Sequence, residues 1–541
     1  MSKLIPCLVS AAGLAMLAEA GAAQAATQQA QASSAILVQG FHWNSANATS
    51  PNWYGVLSSK ASDLGAMGFT HVWFPPPSDA ASKEGYLPRQ LNVLDSSYGS
   101  ETDLKNAINA FSNSGVKVVA DVVINHRVGT SNWADFTNPS WGSYAVTSND
   151  EWGQGTGAAD SGDGYGAARD LDHSNPVVQG DLKNWLSSRL KGVGFSGIRY
   201  DYSKGYAPGY AKVYHDAMAP DFCVGEVWTD LNYGNVDAHR QQLLNYVDGT
   251  GGTCGVFDFT TKGLLNQALS YNEYGRLRDG SGKPAGGIGW WAQKMVTFVD
   301  NHDTGPSENC DVGQRHWPVP CDKVMQGYAY VLTHPGIPSV YYPHIYDWNL
   351  KAAIKALMDV RKSQGITSTS TVSIQRAENG LYAAIINGNT AMKIGSTDWS
   401  PGTGWTLATS GSGYAVWKQG SGSGGGDGGG GTCTSVPVSF SINNANTTFG
   451  QELYVVGNQT ALGSWTPASG FRLTIQGTGA NATWSGTVQL PPSTATQYKY
   501  VKWNGSTAVW ESNQSTSSGN REFTTPACGG SATRGDGGFN H

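Results

Sequence analysis

The sequence predicts an α/β chain: a (β/α)8 barrel with a protruding loop subdomain, a small antiparallel sheet domain and a C-terminal β-sandwich. Three observations predict it. Eight short β-type runs alternate with helical patterns between Ile36 and Tyr342, and four short runs follow before a Gly/Ser stretch. Further runs at regular spacing then close the chain.

The eight runs are Ile36–Phe41, His71–Pro75, Val116–Ile124, Gly197–Tyr202, Phe222–Trp228, Val256–Phe259, Met295–Asp300 and Ser339–Tyr342. Several are nearly continuous apolar stretches, as expected of parallel strands covered on both faces. Helical segments between them include Glu101–Ser112, Pro176–Lys191 and Lys323–Leu332, the last stopped by His334-Pro335-Gly336. Residues 127–175 break the rhythm; rich in Gly, Asp, Ser and Trp, they are too long for an ordinary loop and are assigned to a subdomain beside the third strand. A helix near Lys351–Arg361 precedes Ser373–Gln375, Tyr382–Asn387, Met392–Ile394 and Tyr414–Trp417, which alternate with turns as an antiparallel sheet does. Val436–Ile442, Glu452–Val456, Trp484–Leu490, Tyr498–Trp503 and Arg521–Thr525 read as sandwich strands. The expected boundaries are a signal peptide at 1–25, the barrel at 26–366, the antiparallel domain at 367–418, a linker at 419–432, the sandwich at 433–528 and an unstructured tail at 529–541.

Composition narrows the function. With 541 residues, 39% hydrophobic and 14% charged, the chain has ample material for a large core. A net charge of −6 gives no electrostatic case for nucleic acid or an anionic membrane. The 19 tryptophans serve either as core residues or as flat platforms for sugar rings. Lys3, the apolar stretch Leu4–Leu17 and Ala23-Gln24-Ala25 read as a secretory signal, so the expected location is extracellular. Of seven cysteines Cys7 leaves with the signal, and the six others suit an oxidising compartment. Six cysteines allow about 15 connectivities; the expected set, which keeps each pair inside one domain but leaves other pairings of the four barrel cysteines open, is Cys223–Cys254, Cys310–Cys321 and Cys433–Cys528. No C-x-x-C or close Cys/His spacing supports zinc.

Polar residues gather where such a barrel works, at the carboxyl ends of its strands. The third strand runs into Asp121-Val-Val-Ile-Asn125-His126, the fourth into Arg199-Tyr-Asp201, the fifth into Gly225-Glu226-Val-Trp228 and the seventh into Asp300-Asn-His302-Asp303. A single such acid commonly caps a helix or pairs with arginine. Four strands delivering carboxylates, two imidazoles and a guanidinium to one rim point to chemistry.

These stretches, DVVINH (121–126), GIRYDYSKGY (197–206), GEVW (225–228) and FVDNHD (298–303), resemble the four signature regions of the α-amylases, glycoside hydrolase family 13. The resemblance spans residues 36 to about 418, and LVQGFHW, HVWFPPPS, FDFTTKG and VMQGYAY look most like plant-type and related bacterial members. LGSW (462–465), YKY (498–500) and VWES (509–512) are similar to a family-20 starch-binding module. The resemblance implies Asp201 as nucleophile, Glu226 as acid/base and Asp303 as third carboxylate. It implies Arg199 as the partner of Asp201, His126 and His302 as donors to the same sugar, Tyr86 as its platform, and Lys204 and Trp228 on the leaving-group side. It also implies Ca2+ held by Asn125, Asp160, Asp163, Asp170 and the Gly205 carbonyl, hard oxygen donors suited to that ion. In the terminal module it implies ring platforms at Trp465 and Trp510 flanked by Lys499 and Asn520, and a second site at Trp484, where Phe449 replaces a common tyrosine. Many relatives carry an aspartate after the GY motif where this chain has Leu87-Pro88-Arg89-Gln90, a difference shared with the plant-like branch.

The expected activity is retaining endo-hydrolysis of α-1,4-glucosidic bonds in starch by a secreted monomer that also takes maltooligosaccharides. The alternatives are an exo-acting, maltooligosaccharide-forming enzyme such as a maltotetraose producer, a transglycosylase, and a non-catalytic glucan-binding protein.

Overall fold

The computed structural model describes residues 34–131, 133–419, 435–448, 451–476, 483–512, 514, 516–527 and 532–539. The expected signal peptide and Gly/Ser linker, Cys433, Cys528 and Phe449 therefore lie outside the described residues, as does the third disulfide. The chain divides into two compact units, 1–421 and 422–541. Among the described residues no helix is long and apolar enough to cross a membrane.

Eight parallel strands close the barrel: β1 (Leu37–Gln39), β2 (His71–Trp73), β3 (Lys117–Val122), β4 (Gly197–Tyr200), β5 (Phe222–Gly225), β6 (Gly255–Phe257), β7 (Met295–Phe298) and β8 (Ile337–Tyr341), with β8 returning to β1. Each expected run supplies one strand; most are shorter than expected at the carboxyl end, where the chain leaves the ladder for the rim, whereas β8 begins two residues earlier than its run. Helices follow in alternation: α1 (Trp53–Met67), α2 (Glu101–Asn113), α3 (Pro176–Asn184), α4 (Pro208–Met218), α5 (Val236–Gly249), α6 (Phe259–Tyr271), α7 (Val324–Thr333) and α8 (Lys351–Ser363). Several starts are written locally. Asn52, Asn175 and Asp258 accept backbone N–H groups at the heads of α1, α3 and α6, and Ser100 with Asp103 forms a reciprocal cap on α2. The sequence-predicted helix Pro176–Lys191 is interrupted by a π-helical turn over Trp185–Leu190, which buries Trp185, Leu186 and Leu190.

The loop subdomain is tied to the barrel through a short antiparallel pair, His126–Arg127 with Arg169–Asp170. Cys223–Cys254 joins the start of β5 to the residue before β6, and Cys310–Cys321 closes the loop after β7.

Five antiparallel strands follow: β9 (Val372–Glu378), β10 (Leu381–Ile386), β11 (Thr390–Ile394), β12 (Trp405–Gly411) and β13 (Tyr414–Gln419), in spatial order β9-β10-β11-β13-β12. Sequence reading misses β12, an edge strand with largely exposed residues and no buried face to write an alternation. The sheet packs into the same apolar core as the barrel. At that junction His334 Nε2 lies 2.8 Å from the Tyr382 hydroxyl, and its Nδ1 lies 3.0 Å from the Tyr330 carbonyl. Arg361 donates to the carbonyls of Leu332, His334 and Gly336.

The second unit contains β14 (Val436–Asn443), β15 (Glu452–Gly457), β16 (Phe471–Arg472), β17 (Thr474–Gln476), β18 (Thr483–Leu490), β19 (Ala495–Trp503), β20 (Ala508–Trp510), β21 (Arg521–Thr524) and β22 (Ala532–Gly538). They make two sheets, β17-β18-β14-β22 and β16-β15-β19-β20, with β21 also on β19. β22 corrects the expected unstructured tail. It pairs in parallel with β14, and Asp536 accepts hydrogen bonds from Tyr498 (2.6 Å) and Tyr500 (2.8 Å). Its Gly- and charge-rich composition resembles disorder because backbone pairing leaves no hydrophobic signature.

Replacing Tyr382 with Phe leaves the His334 Nε2 facing no partner, and a buried unpaired polar atom costs about 1–3 kcal/mol. Thermal or urea unfolding should show that loss, with turnover unchanged.

Candidate active site

The rim is assembled by strand register. Asp121 pairs with Arg199 across β3 and β4, and Tyr200 pairs with Gly225 across β4 and β5. The next residue on each of the latter strands, Asp201 and Glu226, therefore emerge side by side. Arg199 and Asp201, two residues apart, share a face. Gly225 is required here, since a Cβ would stand 2.3 Å from the Tyr246 ring.

Arg199 is fully buried and holds three carboxylates. Its Nη1 donates to Asp121 Oδ1 (2.8 Å) and Asp201 Oδ1 (2.6 Å). Its Nη2 lies 2.6 Å from Glu226 Oε1, a charge contact lying off the hydrogen-bond line. The guanidinium also stacks 4.9 Å over Trp73. Glu226 Oε2 accepts the N–H of Tyr202, whose left-handed backbone (φ 43°) turns that group inward (3.0 Å).

Burial dominates the electrostatics. It raises the Asp201 carboxyl, opposed by Arg199 and by a hydrogen bond from Glu226. Burial also raises Glu226, with Arg199 opposing and the Asp201 charge adding to the rise. Asp303 is raised well above the carboxylate range by burial and then by Glu226. Asp121 rises to about 7, again through burial, with Arg199 opposing.

The other rim residues fall around this cluster. Tyr86 donates to Asp121 Oδ2 (2.8 Å) and its ring lies near-parallel to His302 (5.2 Å, 8°) and Trp43 (6.1 Å, 2°). His302 Nδ1 lies 2.9 Å from Gln39 Nε2, and its Nε2 faces Asp303 Oδ2 at 3.2 Å. His126 differs from the expectation of a nitrogen open to sugar: its Nε2 donates to the Tyr86 carbonyl (2.8 Å) and its ring stacks on Tyr165 at 3.9 Å. Lys204 and Trp228 line a cleft of about 450 Å³ with Asp163, Tyr202, Glu226, Thr229 and Asp230. Trp228 stacks on Phe259 at 5.5 Å. Asp121, Gln39 and Trp73 also belong to the site, and sequence reading assigns them no role because strand-interior positions look like core in one dimension.

The expected calcium ligands gather only in part. Asn125 and Asp170 are buried and joined (Nδ2 to Oδ1, 3.0 Å), and Asn125 Oδ1 has no hydrogen-bond partner. A Cβ on Gly205 would stand 2.0 Å from that oxygen, so the glycine permits the approach. Asp170 and Asp160 are both raised, first by burial, and Asp170 reaches about 8 with Glu151 and Asp160 as further causes. Asp163 departs from the expectation: its side chain is 63% exposed and lies 3.7 Å from Lys204 Nζ. The acids that converge instead are Asp150, Glu151 and Asp170. Sequence reading missed Asp150 and Glu151 because ordinary polar loop residues surround them. An orphaned carbonyl oxygen beside crowded carboxylates fits a hard divalent cation.

In the second unit Trp465 and Trp510 lie 6.4 Å apart at 39°. Gly463, Ser464 and Trp465 have left-handed backbone, Trp465 is half-buried and Trp510 is 38% exposed. Trp510 opposes Val501, so Lys499, two residues along β19, shares that sheet face although nearly buried. Asn520 Nδ2 donates to Gln497 Oε1 (3.3 Å). Trp484 corrects the second-site expectation: it is 6% exposed among the core residues of this unit, with no free face.

A barrel whose rim sets two buried carboxyls against one guanidinium, with a third acid and aromatic rings beside them, has the form of a glycoside hydrolase. Comparison with known proteins agrees. Residues 36–152 match the α-amylase catalytic domain, 363–418 the α-amylase C-terminal β-sheet domain and 435–534 the starch-binding domain. A probable α-amylase 2 of Arabidopsis thaliana is 43% identical over 398 residues, 71% of this chain and 93% of the relative. A glucan 1,4-α-maltotetraohydrolase of Roseateles saccharophilus is 31% identical over 507 residues, 88% and 90% of the two chains. The fold resembles that of an α-amylase from Malbranchea cinnamomea, with TM-score 0.51 and 17% identity over 84% of this chain and 94% of that one. The chain belongs to the α-amylase family, glycoside hydrolase family 13, and carries a starch-binding domain.

Proposed function

We propose that this chain is an exported enzyme hydrolysing internal α-1,4-glucosidic bonds of starch with retention of configuration. The observation that carries the reading is the seating of Asp201 and Glu226 on the two terminal nitrogens of Arg199. That arrangement suits the short carboxyl separation, ~5–5.5 Å, of a retaining pair. Asp201, bonded to Arg199, is the nucleophile. Glu226 keeps its proton through burial and the neighbouring Asp201 charge, and delivers it to the leaving oxygen. Water then attacks the glycosyl–Asp201 ester while Glu226, now ionised, removes its proton.

Asp303 grips sugar hydroxyls and supports ring distortion, with His302 beside it and Tyr86 as the flat surface. His126 acts by holding the Tyr86 backbone. Lys204 and Trp228 line the cleft on the leaving-group side. Asn125, Asp170, Asp160, Glu151, Asp150 and the Gly205 carbonyl are the candidate calcium holders, and a bound ion would brace the wall that carries His126. In the second unit Trp465 and Trp510 stack on glucose rings, with Lys499 and Asn520 at their margin. The two disulfides suit an oxidising compartment.

One observation favours a second reading, exo release of maltotetraose: the maltotetraohydrolase match covers 88% of the chain, the plant match 71%. Identity favours the endo reading, 43% against 31%. A product time course on starch decides, since a spread of sizes marks endo action and an early dominant tetramer exo action. The newly formed reducing end should be α, which polarimetry or NMR reads directly.

Burial raises Glu226, so the acid form survives to higher pH than an ordinary glutamate near 4.3. Activity should therefore follow a bell whose alkaline limb lies above that value and reports loss of this proton. Asp201→Asn should lower turnover by about 10⁴-fold or more, of the order seen on removing a nucleophile, while starch adsorption persists. Trp465→Ala with Trp510→Ala should abolish sedimentation with raw starch and leave hydrolysis of soluble maltoheptaose intact. Chelation should lower both melting temperature and activity, and readdition of Ca2+ should restore them.

A further inference from the structure

Lys262, on α6, and Asp300, just beyond β7, form an ion pair of 2.7 Å with neither side chain exposed. Neither is among the residues lining the cleft, and neither has a role in the chemistry described above. A buried pair of this kind seldom stabilises a fold on balance, because desolvating two charges offsets their attraction, and apolar residues of similar volume pack as well. Its contribution lies in what it orients.

Asp300 Oδ1 also accepts from the Thr304 hydroxyl (3.3 Å), and Oδ2 accepts the N–H of Val319 (3.3 Å). Thr304 Oγ1 accepts the N–H of Asn301 (3.1 Å), and Asn301 Oδ1 accepts those of Asp303 (3.1 Å) and Thr304 (2.8 Å). His316 N–H reaches the Asp303 carbonyl and Trp317 N–H the Thr304 carbonyl, each at 3.0 Å. One carboxylate thus clasps both ends of loop 301–319, and His302 and Asp303 stand in its first turn.

We infer that Lys262 is a positioning residue for the reaction: by orienting the Asp300 carboxylate it sets the turn that aims Asp303 and His302 toward Asp201 and Glu226. This rests on the reading of Asp303 as the third carboxylate. The lysine does so from the neighbouring strand–helix unit, so the aim of the loop after β7 depends on a side chain of α6.

The test uses the full chain in three forms: the double variant Lys262→Met with Asp300→Leu, the near-isosteric Thr304→Val, and the control Asp303→Asn. Melting temperature, kcat and KM on maltoheptaose are measured for each. The double variant should melt within a few degrees of the parent, with kcat lower by about 10- to 100-fold, the scale of an ångström-size misplacement, and KM changed far less. Thr304→Val should lower kcat in the same direction. A folded double variant with parental kcat overturns the inference. If the double variant does not fold, Thr304→Val decides, and parental kcat there overturns it equally. If Asp303→Asn leaves kcat unchanged, the functional reading of Asp303 itself fails.

Discussion

A single guanidinium, Arg199, with no exposed surface, is the constraint on which the rim depends. An isolated buried charge of this kind is prohibitively costly, so the fold must bring anions to it. Three strands do so: β3 supplies Asp121, β4 supplies Asp201 and β5 leads into Glu226. The carboxyls in turn are raised by burial and held down by the one cation they share. Removing any member leaves the others with an unmatched charge, so the cluster behaves as a unit rather than as separate pairs.

That unit explains why barrel geometry matters to the chemistry. Strand register places residues on neighbouring strands beside one another without any loop having to find its position. The aromatic wall is tied to the same cluster, since Tyr86 donates to Asp121 and its backbone is held by His126. Asp303 lies outside this scaffold, in a loop, and its turn is instead built from Asn301, Thr304 and Asp300. The enzyme thus combines two carboxyls set directly at strand ends with a third on a braced turn.

Much of this was legible in the sequence. All eight barrel strands stand at the apolar runs, and the helices after β2, β3 and β7 stand near the expected segments Glu101–Ser112, Pro176–Lys191 and Lys323–Leu332. What was misread shares a cause. β12 and β22 have few buried apolar residues, and their pairing is made by backbone groups that every sequence possesses. Trp484 and Trp510 are alike as letters; alternate faces of a sandwich decide that one fills the core while the other meets solvent. Asp163 and Glu151 are both acids of one loop, and only its folding turns the first toward Lys204 and the second toward Asp170.

The order of apolar runs and turns determined, without coordinates, that the chain is a barrel with acids and imidazoles at its strand ends, while the likeness of those motifs to known families implied the glycosidase roles and the starch-binding module. Those are local properties: periodicity, capping and residue type act over a few positions. Tertiary structure alone decided which carboxyls share Arg199, that His126 faces a backbone carbonyl, and that Lys262 reaches Asp300. Such contacts join residues tens of positions apart, and their geometry follows from strand register and burial, which no single stretch of sequence contains.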